Sequence, residues 1–192
     1  MSTYPAHQLD RLPCEPRPWL VCLDLQREYV VPGRPLFDPN GAEVVSTCAR
    51  VMTHARASGW RVVHAHRRHR GGLFSGEAMF ASPIEGLRPL ISEPVFVRTG
   101  LSAFSNPDFA LELSDARGSD VCLIGFSMAG SGLATALSAI DAGLSLTLVE
   151  DALDGHSHAA VAAAGRAAFG ATVQWLSSHD LIQSTTGAEL VP

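Results

Sequence analysis

The stretch VCLIGFSMAGSGLATALSAIDAGLSLTLV, residues 121–149, predicts the fold class of this chain. It opens on four consecutive apolar residues, as expected of a strand that is buried on both faces of a parallel sheet. A helical pattern follows at residues 130–142 and stops before Gly143, since helices favour glycine just after their last turn. A second apolar strand then occupies residues 144–149. Strand, helix and strand in this order are typical of a parallel βαβ unit.

The same alternation continues on both sides of this unit. Apolar runs predict further strands at residues 19–23, 62–65, 95–97 and 172–176. Helical patterns that stop ahead of a glycine predict helices at residues 42–57, 107–116 and 159–169. We therefore expect an α/β fold with a doubly wound, mostly parallel sheet of about six strands and helices on both faces, in the Rossmann-like three-layer arrangement.

The length of 192 residues suits a single domain, which we place at residues 19–185. Four prolines within residues 1–18 predict an N-terminal arm, because proline disfavours the interiors of helices and sheets. Residues 186–192 form a predicted C-terminal tail. Residues 66–94 show no clear period, and so long a loop inside a domain is usually functional, so we predict an active-site lid there.

The composition excludes several classes of function. All 14 basic residues are Arg, because the sequence contains no Lys, which rules out a Schiff-base lysine, a pyridoxal anchor and a Walker-type phosphate loop. The net charge of -5 argues against a nucleic-acid partner. The four cysteines have no metal-ligand spacing, and no signal peptide or apolar run of about 18 residues is present. We expect reduced thiols, a cytoplasmic protein and no membrane partner.

Polar residues follow most of the predicted strands. They are Asp24 after the first strand, His64 and His66 at the second, Arg98 after the third, residues 125–127 after the fourth and residues 150–151 after the fifth. In open α/β sheets, ligands bind in the crevice beyond the carboxyl ends of the strands. The sequence therefore predicts a polar crevice for a small-molecule substrate or ligand at this edge of the sheet.

Four blocks of sequence resemble the isochorismatase-like hydrolases, a cysteine hydrolase superfamily that includes nicotinamidases and N-carbamoyl amidohydrolases. Residues 23–28 resemble the D-x-Q-x-[DE] opening of that family, and residues 97–104 resemble its third-strand block, K-x-x-x-S-A-F. Residues 125–143 follow the G-V-x-T-x-x-C…T-A…D-A-G block, and residues 149–152 resemble the closing v-x-D-A. The resemblance implies an isochorismatase-like fold and a hydrolase of small metabolites that acts on an amide, another C–N bond or a related bond.

The resemblance also implies a catalytic triad, here in altered form. In the family an Asp, a Lys and a Cys work together, and the Cys attacks an amide or similar carbon with the Asp as its base. The matching positions in this sequence hold Asp24, Arg98 and Ser131. A non-proline cis peptide is implied between residues 126 and 127, and a homodimer or homotetramer is implied for the assembly. No cofactor is expected. The side chains or backbone expected to contact the substrate are those of Phe126, Ser127, Ala129, Gly130 and His64.

The two replaced residues change the chemistry that is available. A guanidinium stays charged, so Arg98 can keep Asp24 ionised, lowering its pKa, or clamp a substrate carboxylate, but it cannot shuttle a proton. Ser131 lies at a predicted helix N-terminus, where the N–H groups of residues 129–131 are candidate oxyanion donors. Ser131 caps this helix, binds a polar group of a ligand or attacks the substrate. In the catalytic case Asp24 is the base for Ser131 or for a water.

Two other functions stay open at this point. One is a catalytically inactive family member that binds a small ligand in the same crevice. The other is a Ser-dependent α/β-hydrolase, because residues 125–129 resemble the G-x-S-x-G nucleophile elbow with Ala in the last position. Ser127 would then be the nucleophile. Its partners would be Asp151 and one of His156, His158 or His179.

A metal site is the last alternative that the sequence raises. Nicotinamidase-like members bind a metal near the end of the second strand through an Asp and nearby His residues. His64, His66 and His69 fall in that region, but no Asp accompanies them, so we predict no metal.

Overall fold

The computed structural model describes residues 17–68, 78–154 and 159–188. Most of the predicted arm at residues 1–18 and part of the tail at 186–192 lie outside these ranges, as do residues 69–77 of the predicted lid.

Six parallel strands form one sheet, which confirms the predicted fold class. Their order across the sheet is β3-β2-β1-β4-β5-β6. The strands are β1 Trp19–Leu23, β2 Arg61–Arg67, β3 Val95–Arg98, β4 Asp120–Gly125, β5 Ser145–Leu153 and β6 Gln174–Leu176. The central strands β1 and β4 lie side by side, and the order of the strands reverses between them, which is where such folds bind ligands.

Within the described ranges, a helix lies between each two successive strands and one more helix follows β6. These helices are α1 Gly41–Ala57, α2 Ala78–Ala81, α3 Pro107–Ser114, α4 Leu133–Asp141, α5 Ala159–Phe169 and α6 Ser178–Ala188. A π-helical turn, Met128–Gly132, precedes α4, so the helix predicted from residue 130 begins as a wider turn. The span of α5 agrees with the prediction, whereas α6 follows a strand after which the sequence analysis placed no helix.

The central strand β1 is buried on both faces. Leu20 and Cys22 of β1 belong to the apolar cluster on the α1 side, and Val21 and Leu23 belong to the cluster that includes residues of α3 and α4. All five residues of β1 are buried. A strand with a helical layer on each face must be apolar at every position, which is why this segment shows no alternation.

A close approach of backbones brings the ends of β1 and β4 together. Gly125 ends β4 with a φ of 129°, and a Cβ atom there would lie 1.9 Å from the carbonyl oxygen of Leu23. Only glycine fits such a contact and such a φ. The turn that starts at Phe126 therefore begins directly beside Asp24, and the Phe126 N–H donates to the same Leu23 carbonyl.

No helix in the described ranges combines the length and the apolar character needed to cross a bilayer.

Candidate active site

Asp24 and Arg98 form a buried ion pair at the carboxyl edge of the sheet. Arg98 Nη2 donates to Asp24 Oδ1 over 2.6 Å, and both side chains are fully buried. Asp24 has a left-handed φ of 53°, and its N–H donates to the carbonyl of Ala65. Arg98 Nη1 donates to the carbonyl of Gly100 over 2.6 Å. Both ends of the guanidinium fork are thus engaged.

The pKa of Asp24 differs from the sequence-based expectation. Burial raises it from the ordinary value of 3.8 to about 6, and this effect outweighs the opposing effects of Arg98, Ser131 and Arg67. The cation of Arg98 alone was expected to lower this pKa, and that expectation was wrong because complete burial of Asp24 has the larger effect. A carboxylate with a pKa near 6 is a stronger base than an ordinary Asp and is still mostly ionised at neutral pH.

Ser131 lies beside this carboxylate. Its side chain is fully buried in the π-helical turn, and the interaction of its hydroxyl with Asp24 lowers the pKa of the acid. Within the residues that the structure describes, neither Asp24 Oδ2 nor Ser131 Oγ makes a hydrogen bond of ordinary geometry. The structure therefore brings Asp24, Arg98 and Ser131 together. Asp24 Oδ2 and Ser131 Oγ are not hydrogen-bonded to any further group of the described residues.

The turn at the start of the helix is organised by Ser127. Its φ is 66°, and its carbonyl accepts hydrogen bonds from the N–H groups of Gly130 and Gly132. Its Oγ accepts a long hydrogen bond, 3.4 Å, from the Ser131 N–H. The N–H groups of Gly130 and Ser131, expected to serve as oxyanion donors, are thus bonded within the turn itself. All peptide bonds of the described segments are trans, so the implied cis peptide is absent, and Ser127 has a left-handed φ.

Two other expected substrate contacts lie on this turn. Ala129 is exposed on the turn. Phe126 is fully buried, and its ring stacks on that of Tyr29 at a centroid distance of 5.0 Å. The Phe126 side chain therefore belongs to the core. Tyr29, which the sequence analysis did not select, interacts with Ser127 and Asp24, and burial raises its pKa.

His64 lies inside β2 rather than at its end. It is fully buried, and its Nε2 shares a hydrogen bond of 3.0 Å with Glu93 Oε2. Burial lowers the pKa of His64, so the ring is neutral at neutral pH. Glu93 is also bonded to Arg56, which completes a polar cluster beneath α1. The structure thus places His64 in this cluster and not beside Ser131.

His66 is the histidine of β2 that lies closer to the ion pair. Its residue is 8% exposed, and its Nε2 has no hydrogen-bond partner in the described part of the chain. Burial, the ring of His64 and the charge of Arg98 lower the pKa of His66 to about 4, so it is neutral at physiological pH. His66 stood among the polar strand ends of the sequence, but nothing in the sequence distinguished it from His64.

Gln26 holds the edge of the crevice in place. Its Oε1 accepts the Arg67 N–H over 2.8 Å, and its Nε2 donates to the carbonyl of Arg67 over 3.0 Å and to that of Ala81 over 2.8 Å. The side chain is almost fully buried. The ends of β1 and β2 and the segment carrying α2 are therefore joined at this residue.

The partners proposed for the Ser127 elbow are arranged differently. Asp151 lies within β5, and its two carboxylate oxygens accept hydrogen bonds from the N–H and the Oγ of Ser178, each over 2.6 Å. Asp151 thus caps α6. His179 is exposed on that helix. His156 and His158 lie outside the described residues, as does His69 of the metal hypothesis. Over the described ranges, no group of three His, Cys, Asp or Glu side chains is arranged to hold a metal ion.

Comparison with known proteins confirms the resemblance. The family model described as the isochorismatase domain matches residues 18–192. The maleamate amidohydrolase of Pseudomonas putida is 30% identical over 159 residues, which cover 73% of this chain and 74% of that enzyme.

Solved structures show the same architecture. An isochorismatase family protein from Desulfovibrio vulgaris has a TM-score of 0.74 at 23% identity, and the match covers 88% of this chain and 98% of that one. The N-carbamoylsarcosine amidase of Thermoplasma acidophilum has a TM-score of 0.71 at 22% identity, with 84% and 96% covered. At these identities the likeness shows the fold alone. Because the family model extends from the residue before β1 to the end of the chain, this chain belongs to the isochorismatase family of hydrolases.

Proposed function

We propose that this chain hydrolyses a C–N bond of a small amide-bearing metabolite with an altered triad of Asp24, Arg98 and Ser131. One observation carries this proposal: Oδ2 of buried Asp24 and the hydroxyl of Ser131 lie next to each other, and neither makes a hydrogen bond of ordinary geometry within the described residues. The Asp24 pKa of about 6 suits a general base. The similarity to a maleamate amidohydrolase supports an amide as the substrate.

In the serine route, Ser131 Oγ forms a bond to the amide carbon while its proton passes to Asp24. The C–N bond then breaks, and the nitrogen takes that proton and leaves as ammonia or an amine. A water next attacks the acyl ester, losing one proton to Asp24, and Ser131 recovers its proton as the acid departs. Arg98 takes no part in proton transfer, because a guanidinium stays charged; it keeps Asp24 oriented and favours its ionised form.

In the water route, Asp24 accepts a proton from a water that attacks the amide carbon directly. Ser131 then only binds or orients the substrate. The two routes predict different variants to be inactive, so they can be separated by mutation.

A non-catalytic function is the second candidate. The observation that favours it is the turn at residues 127–132, where the Gly130 and Ser131 N–H groups are already bonded to Ser127. Fewer backbone donors then remain to stabilise a developing oxyanion. In that case the crevice binds the same small amides without turnover.

Release of ammonia from a panel of small amides, measured with the purified protein, tests the proposal. The serine route predicts that Ser131→Ala and Asp24→Asn both abolish the activity, whereas the water route predicts that only Asp24→Asn does. Ser119→Ala is the matched control, because Ser119 is also buried but precedes β4, at the opposite end of that strand from the crevice. Binding of amides by calorimetry without any release of ammonia would support the non-catalytic function instead.

A further inference from the structure

A cavity lies at the amino ends of β2 and β3, at the opposite edge of the sheet from the crevice. Its volume is about 610 Å³, within the usual range of ligand-binding sites. Arg61 and Val62 of β2 and Pro94, which directly precedes β3, belong to its lining. Because the crevice is formed at the carboxyl ends of the strands, this cavity is separate from the candidate active site.

Part of the cavity wall is apolar and exposed. Leu90 and Ile91, in the turn before β3, line the cavity; Leu90 is half-exposed and Ile91 fully exposed. Trp60, which directly precedes β2, adds a large and nearly buried ring to the same lining. We call these three side chains the apolar wall. Adjacent exposed aliphatic side chains beside a cavity indicate a surface that binds another group.

The charged residues that line the cavity are already paired with one another. Arg56 Nε donates to Glu93 Oε1 over 2.7 Å, and Arg61 Nη2 donates to Glu112 Oε1 over 2.6 Å. Among the described residues, these four are all the charged groups of the lining. A charged ligand would find no unpaired partner among them, so the lining favours an uncharged, apolar occupant.

The N-terminal end of the described chain lies directly beside this cavity. The Arg61 N–H donates to the carbonyl of Pro18 over 3.0 Å, and the Arg61 guanidinium lies over the ring of Trp19 at 4.5 Å from its centroid. Arg61 itself lines the cavity. Residues 1–16 of the sequence therefore join the described structure next to the apolar wall.

This N-terminal segment contains a short apolar stretch of suitable reach. Leu12 is followed by the uncharged residues Pro13 and Cys14. Proline fixes its own φ and favours extended backbone, which reduces the entropy lost on binding. Leu12 precedes Pro18 by six residues, a span of up to about 20 Å when extended. Two strand spacings, from β1 to β3, amount to only about 10 Å.

We infer that residues around Leu12 bind in this cavity within the same chain, with the Leu12 side chain against Trp60 and Ile91. A segment tethered beside its site has a high effective concentration, so a separate apolar partner would have to compete with it. The bound segment covers the amino end of β3, which is an edge strand of the sheet. The inference is independent of the proposed function, because the cavity and the crevice lie at opposite edges.

The thiol of Cys14 reports on this binding. The other three cysteines of the chain are buried, so alkylation of the folded protein by iodoacetamide measures the accessibility of Cys14. The rate is followed by mass spectrometry in the full-length wild type, Leu12→Ser and Ile91→Ser. Leu137→Ser is the matched control, because Leu137 is an exposed leucine of α4 that does not line the cavity. Circular dichroism checks that each variant is folded.

We expect Leu12→Ser and Ile91→Ser each to speed the alkylation of Cys14 by about tenfold or more, the change for losing the burial of one large aliphatic side chain. Leu137→Ser should match the wild type. Because the binding is intramolecular, the wild-type rate should not depend on protein concentration. In a second measurement, the amides of residues 90–95 should exchange hydrogen faster in a chain that lacks residues 2–16, while those of α4 should not change.

Equal rates of Cys14 alkylation in the wild type, Leu12→Ser and Ile91→Ser would overturn the inference. A wild-type rate that falls as the protein concentration rises would also overturn it, because the cavity would then bind the segment of a second copy. Unchanged exchange of residues 90–95 after removal of residues 2–16 would overturn it as well, whatever the alkylation rates.

Discussion

The carboxylate of Asp24 and the guanidinium of Arg98 are joined over 2.6 Å with no solvent exposure of either side chain. Each buried charge is tolerated because the other compensates for its lost hydration. The pair links the end of β1 to the end of β3 across β2. We expect it to affect both the free energy of unfolding and the ionisation of Asp24.

Replacement of Arg98 by Met should destabilise the protein by about 3 to 5 kcal/mol, because the carboxylate of Asp24 would lose its buried partner. The double variant Asp24→Asn with Arg98→Met should be less destabilised than the single variant, since no uncompensated charge remains. Urea unfolding at neutral pH measures both. A double variant less stable than Arg98→Met alone would contradict this prediction.

The activity should depend on the ionisation of Asp24. Because a general base must be deprotonated, kcat/KM should be constant above the pKa of about 6 and fall about tenfold per pH unit below it. Initial rates between pH 4.5 and 8, with folding checked at each pH by circular dichroism, provide the test. A rate that rises as the pH falls through 6 would instead identify protonated Asp24 as an acid.

Introducing the Cys and Lys that the family resemblance implies at these two positions should increase the activity. In the double variant Ser131→Cys with Arg98→Lys, a thiol of ordinary pKa near 8.5 replaces a far less acidic hydroxyl, and Asp24 can then deprotonate the nucleophile more readily. We expect turnover of small amides to rise by about a hundredfold, the lower end of the contribution of general acid–base catalysis. Activity in the double variant alone, with none in the wild type, would support the non-catalytic function.

Glu93 should stabilise the fold above its ordinary pKa. Burial alone would raise the pKa of Glu93, but hydrogen bonds from Arg56, the Leu90 N–H and His64 lower it to about 2. The folded state therefore favours the ionised acid, and the stabilisation is present above the ordinary pKa of 4.5 and is lost as the pH falls towards 2.

Glu93→Gln should accordingly lower the urea midpoint at pH 7, and the difference from the wild type should shrink below pH 4. Glu85→Gln is the matched control, because Glu85 pairs with Arg88 at the surface. A difference that grows on acidification would contradict this prediction.

The sequence predicted the elements whose pattern is local. The five residues of β1 are apolar because a helical layer covers each face, and this pattern is legible without the structure. α6 was missed although its start carries a local signal: Ser177 Oγ accepts the Asp180 N–H and donates to the Asp180 carboxylate. The contact of Asp151 of β5 with Ser178, which also caps this helix, could not be predicted from the sequence. The predicted end of β5 at residue 149 was also too early. The strand continues to Leu153 because Ala152 and Leu153 are buried, and sequence alone does not reveal that burial.

The candidate site was predictable in its members but not in its electrostatics. Family motifs singled out Asp24, Arg98 and Ser131, which the structure brings together. The raised pKa of Asp24 depends on complete burial, which is a property of the whole fold. The different surroundings of His64 and His66 could not be predicted from the His-Ala-His sequence of residues 64–66 either. Only the structure shows that Glu93 shares a hydrogen bond with His64 and not with Nε2 of His66.

The amide of Gln26 offers one acceptor and two donor hydrogens, and the chain around it presents one N–H and two carbonyl oxygens. This complement leaves a single orientation of the amide. The isosteric Glu would face two carbonyl oxygens with a negative charge. Asn is one methylene shorter, so its amide would not reach all three partners. Glutamine is therefore the residue whose numbers of donor hydrogens and acceptor oxygens match the backbone groups around this position. It lies two residues after Asp24, the carboxylate of the same D-x-Q motif.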